Sequence, residues 1–111
     1  MAGPLEGVRV LEFTEIIAGP VGGMFLADFG ADVIKIEPPW GDPWRSTSPG
    51  QAGGPNESRG FIAVNRGKRS IRVDLTKPAG KGVVHKLVED ADVIVLNHRP
   101  DVPAKLGIDY E

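Results

Sequence analysis

Apolar residues along the chain gather into four short runs, most of them separated by stretches of helical periodicity. The runs are residues 8–13 (VRVLEF), 33–36 (VIKI), 70–75 (SIRVDL) and 93–96 (VIVL), each of strand length and rich in β-branched side chains. Run 70–75 alternates, with Ile71, Val73 and Leu75 on one face and Arg72 and Asp74 on the other, which predicts a half-exposed strand. Run 93–96 is apolar throughout, which predicts a central one. After Phe13 the loop TEIIAGP leads to Pro20, suited to open a helix that VGGMFLADFG continues until Gly30 ends it. Within it the small Gly22, Gly23 and Ala27 permit close packing. A second helix starts near Pro78. Turning about 100° per residue gathers its Val83, Val84, Leu87, Val88 and Ala91 into one arc and leaves Lys81, His85, Lys86 and Glu89 outside.

Strand, helix, strand, repeated with crossovers this short, predicts an α/β fold: a Rossmann-like parallel sheet flanked by helices. Residues 38–60 break the pattern with five of the ten prolines and five glycines, and read as an active-site or interface loop. Beyond 93–96 comes a short helical piece, DVPAKLGIDYE, and no further strand, so the chain reads as a fragment of a larger protein. At 111 residues it is one domain at most.

The 41% apolar and 25% charged residues fit an ordinary globular protein. A formal charge of -2 argues against general nucleic-acid binding, since only a local cation cluster can hold a polyanion. With no cysteine and two separated histidines, no metal is expected. The opening MAGPLEGVRV lacks a secretory leader pattern and no run reaches about eighteen apolar residues, so a cytoplasmic, non-membrane protein is expected.

Open parallel sheets bind ligands beyond the carboxyl ends of their strands, here residues 14–19, 37–40, 76–78 and 97–100. A dinucleotide motif is disfavoured, because the first turn reads AGPVGG and Pro20 has no amide hydrogen to offer a pyrophosphate. Arg66, Lys68, Arg69 and Arg72 are either a solvated loop and outer strand face or an anion site beside Gly67, which admits a left-handed turn. His85 falls on the polar side of its helix. His98 follows the last strand, placed either to meet a ligand or to fill space under the loop. Trp40 and Trp44 bracket GDP, as a cover for an adenine or partner or as a satellite core. The acids, among them Glu12, Glu15, Asp28, Glu37, Asp42, Asp74 and Asp92, show no triad or metal spacing.

Three segments, PLEGVRVLEFTEIIAGPVGGMFLADFGADVIKIEPP, NRGKRSIRVDLTKPAGK and LVEDADVIVLNHRPDVPAKLGIDYE, together resemble the opening of the class III CoA-transferases of CaiB/BaiF type. That family includes formyl-CoA and carnitine CoA-transferases and 2-methylacyl-CoA racemases. The resemblance implies that residues 1–111 are the N-terminal coenzyme A-binding portion of a larger domain. Its CoA contacts would be Ile17, Ala18, Val73, Asp74, Leu75, Thr76, Asn97, His98, Arg99 and Lys105, with the cations at 66–72, Arg99 and Lys105 facing its phosphates. It further implies acyl-CoA and carboxylic acid substrates, a catalytic Asp (a His and Asp pair in the racemases) downstream of residue 111, and an interlocked homodimer. A piece made alone would then expose sheet edge and apolar surface. This 111-residue chain is therefore expected to be inactive alone. The alternatives are an acyl-CoA epimerase of the racemase branch and a non-catalytic nucleotide-binding or assembly module. Pro38 stands where some formyl-CoA transferases carry an arginine, and His98 where an aromatic commonly follows the asparagine.

Overall fold

The computed structural model describes residues 3–47 and 59–97. Its elements are β1 (Arg9–Phe13), α1 (Ala18–Asp28), β2 (Asp32–Glu37), α2 (Trp44–Thr47), α3 (Arg59–Asn65), β3 (Arg69–Arg72), α4 (Pro78–Glu89) and β4 (Val93–Leu96). All the strand pairs are parallel and the sheet order is β3-β2-β1-β4. The α/β expectation holds.

Winding follows from that order. From β1 the chain steps through α1 to β2 in one direction, and from β3 it crosses back through α4 to β4 in the other. Right-handed crossovers in opposite directions put α1 and α4 on opposite faces, and the two apolar clusters sit accordingly. Leu11, Phe13, Ile36, Val73 and Val84 form one, with Leu87 and Ala91 packed against it from the α4 side. Val10, Ala31 and Val33 form the other, covered by Leu26 and Ala27 of α1.

Local chemistry sets the element ends. α1 begins two residues before Pro20, which therefore sits in the first turn, where its missing N–H removes no helix bond. It ends in a Schellman motif: Gly30 N–H donates to the Ala27 carbonyl, Ala31 N–H donates to that of Leu26, and Gly30 takes φ +103°. β3 is shorter than the alternating run. After Val73 extends the ladder by donating to the Glu37 carbonyl, Asp74 Oδ1 accepts the Thr76 amide at 3.0 Å, and this turn delivers Pro78 to the start of α4.

The fourth run departs from its reading as a central strand. β4 lies at the edge of the sheet, with β1 and β2 inside, and its Val93, Ile94 and Leu96 are 40, 42 and 39% exposed. Uniform apolarity showed that both faces of the run suit burial, but nothing among the described residues pairs with its far edge. The apolar arc of α4 is likewise only partly used: Val84 is fully buried, whereas Val83 and Val88 are 44 and 36% exposed. The interrupting stretch contains α2 and runs into α3, neither of which the sequence pattern predicted, while residues 48–58 and the short helical piece after 100 lie outside the described residues. No helix among the described residues is long and apolar enough to cross a membrane.

Candidate functional site

At the carboxyl ends of β1 and β4 the direction of winding reverses, which in open parallel sheets opens a crevice. Two loops meet there. Glu15 N–H donates to Asn97 Oδ1 at 3.1 Å, and Asn97 Nδ2 donates back to the Glu15 carbonyl at 3.0 Å, so one side-chain amide bridges the two strand ends. Gly19 lies so close to this bridge that a Cβ would sit 2.9 Å from Asn97 Cγ and 2.6 Å from Thr14 Cβ. Beside it the side chains of Ile17 and Ala18 are exposed, and Ile17 N-caps α1 with no side-chain hydrogen bond, so among the described residues no side chain caps its first amides.

Between Glu15 and Ile17 stands Ile16 at φ +70°, a left-handed conformation that costs a β-branched residue about 1–3 kcal/mol. Its N–H donates to Asp42 Oδ1 at 3.2 Å. The same oxygen accepts the Trp44 amide at 2.9 Å, so the GDP segment is a tight turn, with Gly41 at φ +83°. Trp40 is 75% exposed, whereas Trp44 is half-buried.

Under these loops, on the α1 face of the sheet, lies a charged cluster with almost no access to solvent. Lys35 Nζ is 2.9 Å from Asp42 Oδ2, 2.8 Å from the Thr14 carbonyl and 3.6 Å from Glu12 Oε2. Lys68 Nζ is 2.5 Å from Glu12 Oε1 and donates to the Pro20 carbonyl and Asn65 Oδ1, both at 2.8 Å. The Thr14 hydroxyl donates to Glu12. Two cations and two anions thus neutralise one another where no water can, as buried charge requires. Burial pulls the Lys68 ammonium below its ordinary pKa, against the favourable pull of Glu12. Next to this cluster Arg45 grips Glu37 through two hydrogen bonds of 2.7 and 2.8 Å and stacks 3.9 Å over the Phe61 ring. Burial alone would raise the Glu37 carboxyl, but donors from Arg45, Ser70 and the Asp42 amide outweigh it and hold the pKa at about 2.

The cations at 66–69, which the resemblance turns toward a ligand's phosphates, have carboxylate partners within the fold. Arg66 pairs with Asp28 at 2.8 Å, Arg69 with Asp32 at 2.6 Å, and Lys68 is sealed inside on Glu12. Gly67 does adopt the left-handed turn, at φ +79°, and lies against Ala27. The guanidinium of Arg72 lies over Gly41.

Of the sequence-predicted contacts, Ile17, Ala18 and Asn97 come together at the β1–β4 crevice. Val73, Asp74, Leu75 and Thr76 follow β3 at the other side of the sheet, three strand spacings or roughly 14 Å from β4. Val73 is buried in the core and so can reach a ligand only through its backbone, while Leu75 packs against the same cluster partly buried. The Asp74 carboxyl is held below its usual range by the Thr76 hydroxyl and amide, with Lys77 adding to them. A carboxylate there suits a ligand's amide or amino donor and repels phosphate. His98, Arg99 and Lys105 lie outside the described residues. A separate groove of about 270 Å³, lined by Arg9, Asp32, Ile34, Arg69, Leu87 and Asp90 among others, lies toward the opposite ends of the strands and includes none of these residues.

Sequence reasoning missed the Glu12–Lys35–Asp42–Lys68 cluster. The signal was parity: Glu12 shares its strand face with Val8 and Val10, and Lys35 with Val33. A charge on the inward face of a sheet covered on both sides needs a buried partner.

Known proteins agree with this architecture. The chain is 49% identical to the succinate–glutarate CoA-transferase of Agrobacterium fabrum, covering 97% of this chain and 28% of that protein. It is 44% identical to the succinyl-CoA:glutarate CoA-transferase of Mus musculus, covering 97% of this chain and 24% of that one. A crystal structure of a CaiB/BaiF family protein from Brucella suis superposes with a TM-score of 0.90 at 42% identity, covering 99% of this chain and 30% of its own. The chain thus spans less than a third of the length of these relatives. Residues 5–111 match the model of CoA-transferase family III, and the chain belongs to that family.

Proposed function

We propose that residues 1–111 form the N-terminal coenzyme A-binding portion of a CoA-transferase that moves CoA between carboxylic acids. The observation that carries the reading is the Asn97 bridge, which holds the exposed Ile17 and Ala18 beside the end of β4 at the point where the sheet's winding reverses. The uncapped first turn of α1 suits an anionic part of the nucleotide, and the Asp74–Thr76 turn suits its amide or amino donors. Names of the relatives favour transfer over epimerisation.

In the complete protein, an aspartate beyond residue 111 carries the acyl group as a mixed anhydride and then CoA as a thioester, within a cytoplasmic, interlocked homodimer. The part played by residues 1–111 is to bind and orient the CoA carrier. His98, Arg99 and Lys105 complete the set, the two cations on the phosphates. The test is to titrate CoA against the chain and, separately, to incubate it with an acyl-CoA and an acceptor acid. Saturable binding with no new thioester is expected. Absence of binding overturns the site, and measurable transfer overturns the division of labour.

A further inference from the structure

Each residue before the exposed pair is tied down. The Thr14 carbonyl accepts Lys35 Nζ, Glu15 is held at both its N–H and its carbonyl by Asn97, and the Ile16 N–H is held by Asp42. Ile17, whose carbonyl accepts the Val21 N–H, and Ala18, the first residue of α1, follow with exposed side chains. Two of these ties act on the peptide unit that enters Ile16, Asn97 on its carbonyl and Asp42 on its N–H, and it is Asp42 that holds the amide of the left-handed residue, whose backbone sets the direction in which the next two residues leave. Asp42 is itself fixed from three sides. Its Oδ2 meets Lys35, its Oδ1 also accepts the Trp44 amide, and its own N–H donates to Glu37. The side chain is fully buried, so it cannot touch a ligand.

We infer that Asp42 is a positioning residue: through the Ile16 amide it holds Ile17 and Ala18 in the shape that receives CoA. This rests on the CoA reading above and adds to it a residue that acts from beneath the site. Once Asp42 Oδ1 is removed, Ile16 relaxes to negative φ and the receiving shape becomes a minor state, so apparent affinity falls in proportion to its population.

Two variants separate positioning from plain stability. Asp42→Ala removes both the acceptor for Ile16 and the charge facing Lys35. Asp42→Asn keeps one acceptor oxygen for the Ile16 and Trp44 amides but loses the charge and turns an NH2 donor toward Lys35. Both are expected to lower Tm. CoA affinity, by calorimetric titration, is expected to fall about tenfold or more in Asp42→Ala and to stay within about threefold in Asp42→Asn. The Ile16 amide is expected to lose its exchange protection, and its HN–Hα coupling its left-handed value, in Asp42→Ala only. Should Asp42→Ala not fold, Asp42→Asn decides: lowered Tm with retained affinity supports the proposal, and lost affinity with Ile16 still left-handed overturns it. Equal affinity in Asp42→Ala and the unaltered chain overturns the positioning role alone. A folded unaltered chain that gives a flat titration overturns the CoA reading and this proposal together.

Discussion

Glu12 Oε1 lies 2.5 Å from Lys68 Nζ, and neither side chain is more than 2% exposed. With Lys35 and Asp42 on the other side of Glu12, the four charges sum to zero in a volume closed to water. Such a cluster is costly to disturb by halves. Lys68→Met leaves Glu12 with the more distant Lys35 alone and is expected to destabilise by about 3–5 kcal/mol, much of what a marginally stable chain has. Glu12→Gln/Lys68→Met removes the pair together, keeps an acceptor for Thr14 and leaves Lys35 with Asp42. It is expected to cost less than Lys68→Met alone, as read by urea denaturation, and an additive double variant would contradict the coupling.

Gly23 sits over this pair. A Cβ there would stand 2.1 Å from Glu12 Oε1 and 3.3 Å from Lys68 Cε, whereas at neighbouring Gly22 nothing lies within 4 Å. Gly23→Ala is therefore expected to destabilise by about 1–3 kcal/mol, and Gly22→Ala to stabilise by roughly 0.5–1 kcal/mol through helix propensity. Thermal melts of the two variants, one residue apart, check the opposite signs.

Glu37 makes stability depend on acid. Its pKa is about 2 in the folded chain against an ordinary 4.5. Stability from this group is thus fully present above about pH 4.5 and is lost as pH falls toward 2, roughly 3 kcal/mol in all. Urea midpoints measured across that window are expected to fall more steeply for the unaltered chain than for Glu37→Gln, and parallel curves would contradict the assignment.

On the proposed reading the cations divide into structural and ligand-facing sets. Arg66 is exposed and paired with Asp28, so Arg66→Ala is expected to change stability by no more than about 1 kcal/mol. It is also expected to leave CoA affinity unaltered. Arg99→Ala and Lys105→Ala are expected to weaken CoA binding and to lower its salt dependence. Titrations at two salt concentrations separate the two sets.

How far the sequence led is visible element by element. The parallel α/β arrangement followed from hydrophobic runs and crossover lengths, and 93–96 was bounded correctly because an apolar run between turn residues has sharp ends. The order of the strands was not legible, since period and propensity describe a strand's faces and not its neighbours, and so VIVL was misread as central. The partners of the cations at 66–69 were not legible because sequence gives a charge without its partner: Asp28, Asp32 and Glu12 lie 37 to 56 positions away. The strand-end rule and the resemblance both pointed to Ile17, Ala18 and Asn97, which the fold brings together at the crevice. Asp42 was passed over because its importance rests on one backbone amide, at a residue whose left-handed φ no propensity would assign to isoleucine.

The most direct test is an amide-resolved NMR titration of the chain with CoA. Shifts concentrated at Ile17, Ala18, residues 73–76, Asn97 to Arg99 and Lys105 are expected. No shifts, or shifts confined to the groove around Arg9, Asp32 and Asp90 at the other end of the sheet, would contradict the CoA reading.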